Sequence, residues 1–352
     1  MFQQVLPLRV LLAALLVFQA AAPPDLASAV RARMEKGRRG GMVAGVLAAN
    51  GKTTTAGFGD SGASSVALND RTVFEIGSIT KVFTTTLLAD MVDRGEVKLD
   101  DPIAKFLPSS VSVPQRNGRQ ITLVDLATHT SGLPRLMTNM KPADPRNPYA
   151  DYTVVQLYAF LSGHQLARDV GAQYEYSNVG MGLLGHALAL RSGQPYEALV
   201  TERILKPVGM RDTTIALTPA LKQRLAAGFA ADGSRASNWD IPTLAGAGAL
   251  RSTVHDMLLF AQANLTPSGE RLSSAMQRTH EVRHPTGRPG LSIGLGWHVL
   301  KVDGSEIHWH NGGTGGYRTW MGFDLKRRVA AVVLTNSAES ADDFGLALVT
   351  GK

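Results

Sequence analysis

Ser78 and Lys81 stand three residues apart in the stretch FEIGSITK, where a glycine-led turn runs into a helical pattern. That spacing places both on one face of a first helical turn. A serine hydroxyl is nearly un-ionised at neutral pH, so it serves as a nucleophile only beside a base or cation. Lys81 can supply a field and exchange a proton, and the helix N-terminus adds positive potential at Ser78. A plainer reading also fits: Ser78 as an N-cap, with Lys81 a solvated first-turn side chain.

Two further groups bear on that choice. The chain's only Y-x-N is Tyr176-Ser177-Asn178. A tyrosine held beside a lysine can have its phenol pKa pulled down and act as a proton shuttle. Asn178 offers an amide that both donates to and accepts from a peptide-like substrate; alternatively it caps the following helix. Near the C-terminus, HWHNGGTGGYRTW carries His310, Asn311, Gly312 and Gly313. Glycines within a strand let another backbone or a ligand approach closely. Strand amides there could hold an extended substrate and donate to a developing oxyanion; a bulge or hairpin corner would use the same glycines.

The elements that must position these residues fall into three blocks. Leu26 to Lys36 reads as a helix, and MVAGVLAAN with KTTTAGFGD as a hairpin around Gly51. From about Thr72 the pattern is helical, with stretches at Val82–Arg94, Gly180–Ser192, Tyr196–Ile204 and Val254–Asn264 separated by Pro/Gly/Asn-rich connectors. From Gly294 onward the period returns to strands: LGWHVLKV and SEIHWHN around Asp303-Gly304, then YRTWMGFD and RVAAVVLTNS, with a short amphipathic helix at the tail. The expected fold is α/β (α+β): an antiparallel sheet made from both chain ends, flanked by helices, with an all-helical lobe inserted. The sheet domain would comprise residues 23–71 and 290–352, the helical domain 72–289, with the active site at their interface.

Composition narrows the chemistry. With 352 residues, 44% of them hydrophobic, the chain can bury a large core. Residues 1–22 read as a secretory signal peptide: Arg9, the apolar run VLLAALLVF and Ala20-Ala21-Ala22. The expected location is therefore periplasmic or secreted, with no stable membrane span after cleavage. The chain has no cysteine, which excludes a thiol nucleophile and thiolate metal ligands. A net charge of +7 suits anionic cell-wall polymer or carboxylate substrates. No basic run is interleaved with aromatics, so no nucleic-acid partner is expected.

In their order and contexts, S-x-x-K, Y-x-N and a basic-x-G strand resemble the serine β-lactamase and penicillin-binding DD-peptidase superfamily. The nearest branch is the class C β-lactamases with their DD-carboxypeptidase and esterase relatives. ITLVDLATHTSGLP, ILKPVGMRDTT and GAGALRSTVHDMLLF extend the likeness over roughly Met42 to Ala347. The resemblance implies a β-lactamase/transpeptidase-like fold, no cofactor, and a small-molecule β-lactam or peptidoglycan-derived peptide as substrate. By position it makes Ser78 the acylated nucleophile, Lys81 its activator, Tyr176 the general base and acid, and Asn178 the binder of the substrate amide. Backbone amides of Ser78 and Gly313 would form the oxyanion hole. His310 takes a place usually held by lysine, and Asn311 one where threonine or serine is common; Gly312 keeps the glycine. A histidine there, only partly charged at pH 7, would meet the substrate carboxylate more weakly than lysine.

Rival classes leave their own traces. THEVRHP contains a formal H-E-x-x-H, His280, Glu281 and His284, the pattern of a zinc peptidase, yet Pro285 biases His284 away from helical geometry. Chance in a loop is the reading adopted, with no metal expected. An esterase of the same fold and a slow-turnover penicillin-binding sensor also fit the motifs. His129, in HTSG, reads as part of a structural turn.

Overall fold

The computed structural model describes residues 25–352 apart from 37, 38, 64 and 269; the signal peptide expected at residues 1–22 lies outside them. Eight strands form one antiparallel sheet: β1 (Gly41–Leu47), β2 (Thr53–Gly59), β3 (His284–Pro285), β4 (Leu291–Ile293), β5 (His298–Val302), β6 (Ser305–Gly313), β7 (Arg318–Asp324) and β8 (Val329–Thr335). Their spatial order is β2-β1-β8-β7-β6-β5-β4-β3, so the N-terminal hairpin pairs with the last strand of the chain. The β5–β6 turn carries Asp303 and Gly304 in the left-handed region, as the Asp-Gly dipeptide predicts. The sheet reaches back to His284, earlier than the boundary at residue 290 expected from the sequence.

Alternation along β8 sorts the two faces. Ala330, Val332 and Leu334 join the larger core shared with the central helices, while Ala331 and Val333 join a smaller core under α1 (Leu26–Met34) and α8 (Asp342–Thr350). The central segment supplies α2 (Thr80–Asp93), α3 (Leu123–Ala127), α4 (Val154–Gly163), α5 (Asn178–Ser192), α6 (Val254–Leu265) and α7 (Arg271–His280). It is not wholly helical, since Phe74–Glu75 pairs with Arg251–Ser252 and Gln115–Arg116 with Arg119–Gln120. Helix α2 is buried through most of its length, which carries Lys81 into the core. No helix among the described residues is long and apolar enough to cross a membrane.

The zinc-peptidase pattern falls apart in the fold. His280 ends α7 and its Nε2 lies 2.9 Å from Asn264 Oδ1, Glu281 caps the helix, and His284 belongs to β3. Among the described residues no group of three or more His, Asp or Glu is placed to hold a metal ion.

Candidate active site

Ser78 sits in a single 3₁₀ turn, Gly77–Ile79, just ahead of α2. The N-cap of α2 is Ile79, without a side-chain cap, so the Ser78 hydroxyl is not spent on capping. Gly77 has φ +50°, and a Cβ there would come within 2.7 Å of the Gly313 nitrogen. A Cβ on Gly312 would lie 2.0 Å from the Ile76 carbonyl oxygen. These two glycines let the Ser78 turn lie directly on the end of β6, bringing the Gly77 and Gly313 backbones together.

Lys81 is fully buried. Its Nζ lies 2.9 Å from Ser78 Oγ and donates to Asn178 Oδ1 at 2.9 Å and to the Ala247 carbonyl at 2.6 Å. Two of these three neighbours can only accept, whereas the Ser78 hydroxyl can donate. A neutral amine fits: two N–H groups satisfy the two oxygens and the lone pair faces the serine proton. Burial, reinforced by the Arg135 cation, pushes the Lys81 pKa well below the ordinary lysine value.

Tyr176 stands on the loop before α5, where Ser177 is the N-cap, its Oγ accepting from the Gly180 N–H at 2.8 Å. Asn178 is thus not the cap, and its side chain is free to reach Lys81 and the Tyr149 hydroxyl. The Tyr176 ring packs 4.6 Å from His129 and 6.1 Å from His310, centroid to centroid, with Lys81 Nζ at 4.8 Å and Arg135 Cζ at 5.1 Å from its own centroid. The expected drop in the phenol pKa does not appear. Burial pushes Tyr176 upward, outweighing the hydrogen bond with Ser78 and the nearby Arg135 charge. In the free protein burial thus favours the neutral amine of Lys81 and the protonated phenol of Tyr176.

His310 also differs from expectation. It pairs with Met321 on the face of β6 that packs against the central helices, and it is fully buried. Its Nδ1 lies 2.6 Å from the Asn311 carbonyl, an acceptor, so the proton resides on Nδ1. Burial, with His298 and Lys81 adding to it, pushes its pKa well below the usual histidine range. A neutral, buried ring behind Tyr176 is no partner for a substrate carboxylate. Asn311, on the opposite face, donates to Asp342 Oδ2 at 2.7 Å and lines the cleft together with Gly312 and Gly313.

That cleft has a volume of about 640 Å³ and holds Ser78, Tyr176 and Asn178 along with four residues that no sequence motif marks: Tyr149, Arg135, Arg288 and Arg318. Their spacing carries no signal, because they come from separate connectors and strand ends. His129, expected in a structural turn, proves to lie against Tyr176. Its backbone is left-handed at φ +58°, its Nδ1 accepts the Ser177 N–H at 3.2 Å, and its carbonyl accepts the Glu175 N–H at 2.8 Å.

A serine, a buried lysine and a tyrosine thus converge beside the end of β6, in a mixed α/β fold with one large antiparallel sheet. The family model described as Beta-lactamase matches residues 26–349, and the chain belongs to that family. It is 35% identical over 279 residues to a D-alanyl-D-alanine-carboxypeptidase/endopeptidase, AmpH, of Escherichia coli (strain K12), covering 75% of this chain and 71% of the relative. It is 28% identical over 305 residues to a β-lactamase of the same organism, covering 76% of each. Among solved structures, a β-lactamase/D-alanine carboxypeptidase from Yersinia pestis superposes with TM-score 0.76 at 27% identity, covering 89% of this chain and 92% of that one. A class C β-lactamase superposes with TM-score 0.79 at 22% identity, covering 92% of each chain, a likeness of fold.

Proposed function

We propose that this chain is an exported serine hydrolase that cleaves D-Ala-D-Ala-type amide bonds through an acyl-Ser78 intermediate, with β-lactams acylating the same serine. The observation that carries this reading is the Lys81 contact set: a buried amine whose two other neighbours are acceptors leaves its lone pair for the Ser78 proton. In the proposed sequence the Ser78 proton moves to Lys81 Nζ as Oγ adds to the substrate carbonyl carbon. The oxyanion receives the backbone N–H groups of Ser78 and Gly313. The proton then passes through the Tyr176 hydroxyl to the leaving nitrogen as the C–N bond breaks. Water completes the cycle, losing a proton to the same pair and restoring the Ser78 hydroxyl.

Asn178 supports an amide substrate over a simple ester, since its amide nitrogen, 3.3 Å from the Tyr149 hydroxyl, faces the cleft. Export rests on the composition of residues 1–22. Covalent labelling by a fluorescent penicillin tests the reading: wild type labels, and Ser78→Ala does not while keeping its thermal transition. Labelling of the mutant at the wild-type rate would refute the assignment. A rate panel with a D-Ala-D-Ala peptide, a cephalosporin and a p-nitrophenyl ester should rank the peptide first by kcat/KM.

A further inference from the structure

Most buried or half-buried guanidinium groups of this protein rest on carboxylates: Arg33 on Asp343, Arg94 and Arg203 on Asp90, Arg224 on Asp212, Arg278 on Asp93. The cleft differs: two of its three arginines, Arg135 and Arg288, are exposed, and only Arg318 is half-buried. Arg135, Arg288 and Arg318 all line it, and the single carboxylate among its lining residues is Asp342. Asp342 already accepts from Asn311, and burial pushes its pKa up. Among the described residues neither Arg135 nor Arg288 has an ion pair or a side-chain hydrogen bond. Arg318 is half-buried, its Nη1 donating to the Thr314 and Tyr317 carbonyls at 2.7 and 2.8 Å, and burial lowers its pKa against the partial pull of Asp342.

These cations occupy different walls. Arg135 is presented from the helical side by a segment docked on the start of α5. The Ser177 hydroxyl donates to the Pro134 carbonyl at 2.7 Å, and the Asn178 N–H donates to the Arg135 carbonyl at 3.1 Å. Its guanidinium lies over the Tyr176 ring. Arg318 opens β7 beside Gly313, and Arg288 sits in the β3–β4 turn, both on the sheet side. Like charges lining a cleft focus a positive potential that attracts anions, most strongly at low salt. One carboxylate satisfies one guanidinium in a fork, or two that adjoin. Arg135 and Arg318 are borne by different elements, so two carboxylates can each take one of them.

We infer that the cleft selects substrates bearing at least two carboxylates, with Arg135 as a specificity-determining residue; this rests on the peptide-hydrolase reading above. The ligand class is thus a polyanionic peptide, rather than one whose terminal carboxylate is its only charge.

Calorimetric binding to the non-turning Ser78→Ala protein tests this independently of catalysis. Three N-acetylated peptides serve as probes: Gln-D-Ala-D-Ala with one carboxylate, and Glu-D-Ala-D-Ala and Gln-D-Ala-D-Glu with a second one on either side of the scissile bond. The expected result is that at least one dianionic peptide binds about tenfold more tightly than the monoanion, the worth of one charge-assisted contact. High salt should shrink that advantage, and Arg135→Gln in the same background should remove most of it. Equal affinity for all three peptides, or an advantage that survives intact in Arg135→Gln, overturns the inference. Failure of the hydrolase reading shows itself separately, as absence of Ser78 labelling in the wild-type protein.

Discussion

Lys81 and His310 are both nitrogen bases sealed from water, and their neighbours set them apart in the proposed mechanism. The Lys81 lone pair faces Ser78, whereas the His310 Nδ1 proton is committed to the Asn311 carbonyl. Acylation should therefore require the deprotonated lysine. The pH profile of acylation should rise through a limb centred well below the ordinary lysine value near 10.5, because burial favours the neutral amine. Lys81→Arg, which cannot deprotonate, should lower the acylation rate by a factor of about 100 to 10,000, the range of a lost general base. Stopped-flow acylation across pH checks both; an arginine variant with wild-type rate would assign the base elsewhere. His310, neutral through physiological pH, should add no limb near 6.5. Anionic and neutral substrates should share one profile shape, and a limb at the ordinary histidine value confined to the anionic ones would restore His310 as a carboxylate contact.

At the scale of elements, the site depends on a loop being held at the start of α5. His129 holds it by accepting the N–H groups of both residues flanking Tyr176, that of Glu175 at its carbonyl and that of Ser177 at its ring Nδ1, from a conformation that few side chains adopt. Replacing His129 by Leu would leave the buried Ser177 N–H unpaired, at a cost of about 1–3 kcal/mol. Asn tolerates the left-handed backbone and can offer an oxygen where Nδ1 stands. His129→Leu should lower both the thermal transition and the acylation rate, and His129→Asn should recover most of the acylation rate. Equal losses in the two variants would reduce His129 to packing. This support was only half legible in the sequence. HTSG announces a turn, but contacts of 48 residues' separation depend on how two connectors dock. The serine, lysine and tyrosine of the site were readable because each lies in a local pattern whose chemistry is specific. The face of His310 was open to inference as well: in a strand the side chain of residue 310 points opposite to that of Asn311. Strands β3 and β4 were not legible, because runs of two and three residues carry no period.

For the whole molecule, the same burial that tunes the site loads the fold with neutral bases. His129, His280, His298, His308 and His310 are all buried, and burial lowers the pKa of each, to about 3 for His280 and about 4 for His298. In the unfolded chain each titrates near 6.5. Between those limits the unfolded state binds more protons, so stability is complete above about 6.5 and declines as pH falls toward the folded values. Each such histidine contributes a slope of about 1.4 kcal/mol per pH unit while unfolded and folded charge states differ. Buried Glu75, Asp256 and Asp342, whose pKa values burial raises, oppose this between their raised folded values and the ordinary carboxylate range near 4, where the folded carboxyls hold protons and the unfolded ones do not. The apolar core does not titrate and cannot compensate. Calorimetric scans should therefore show the thermal transition falling from about pH 6.5 down toward about pH 4, the window in which the histidines of the unfolded chain are protonated and those of the fold are not. The change should be smaller in a His280→Asn, His308→Asn double variant, which removes two of the five. A transition temperature that holds level or rises on acidification would mean that the imidazoles are charged, and paired, inside the fold.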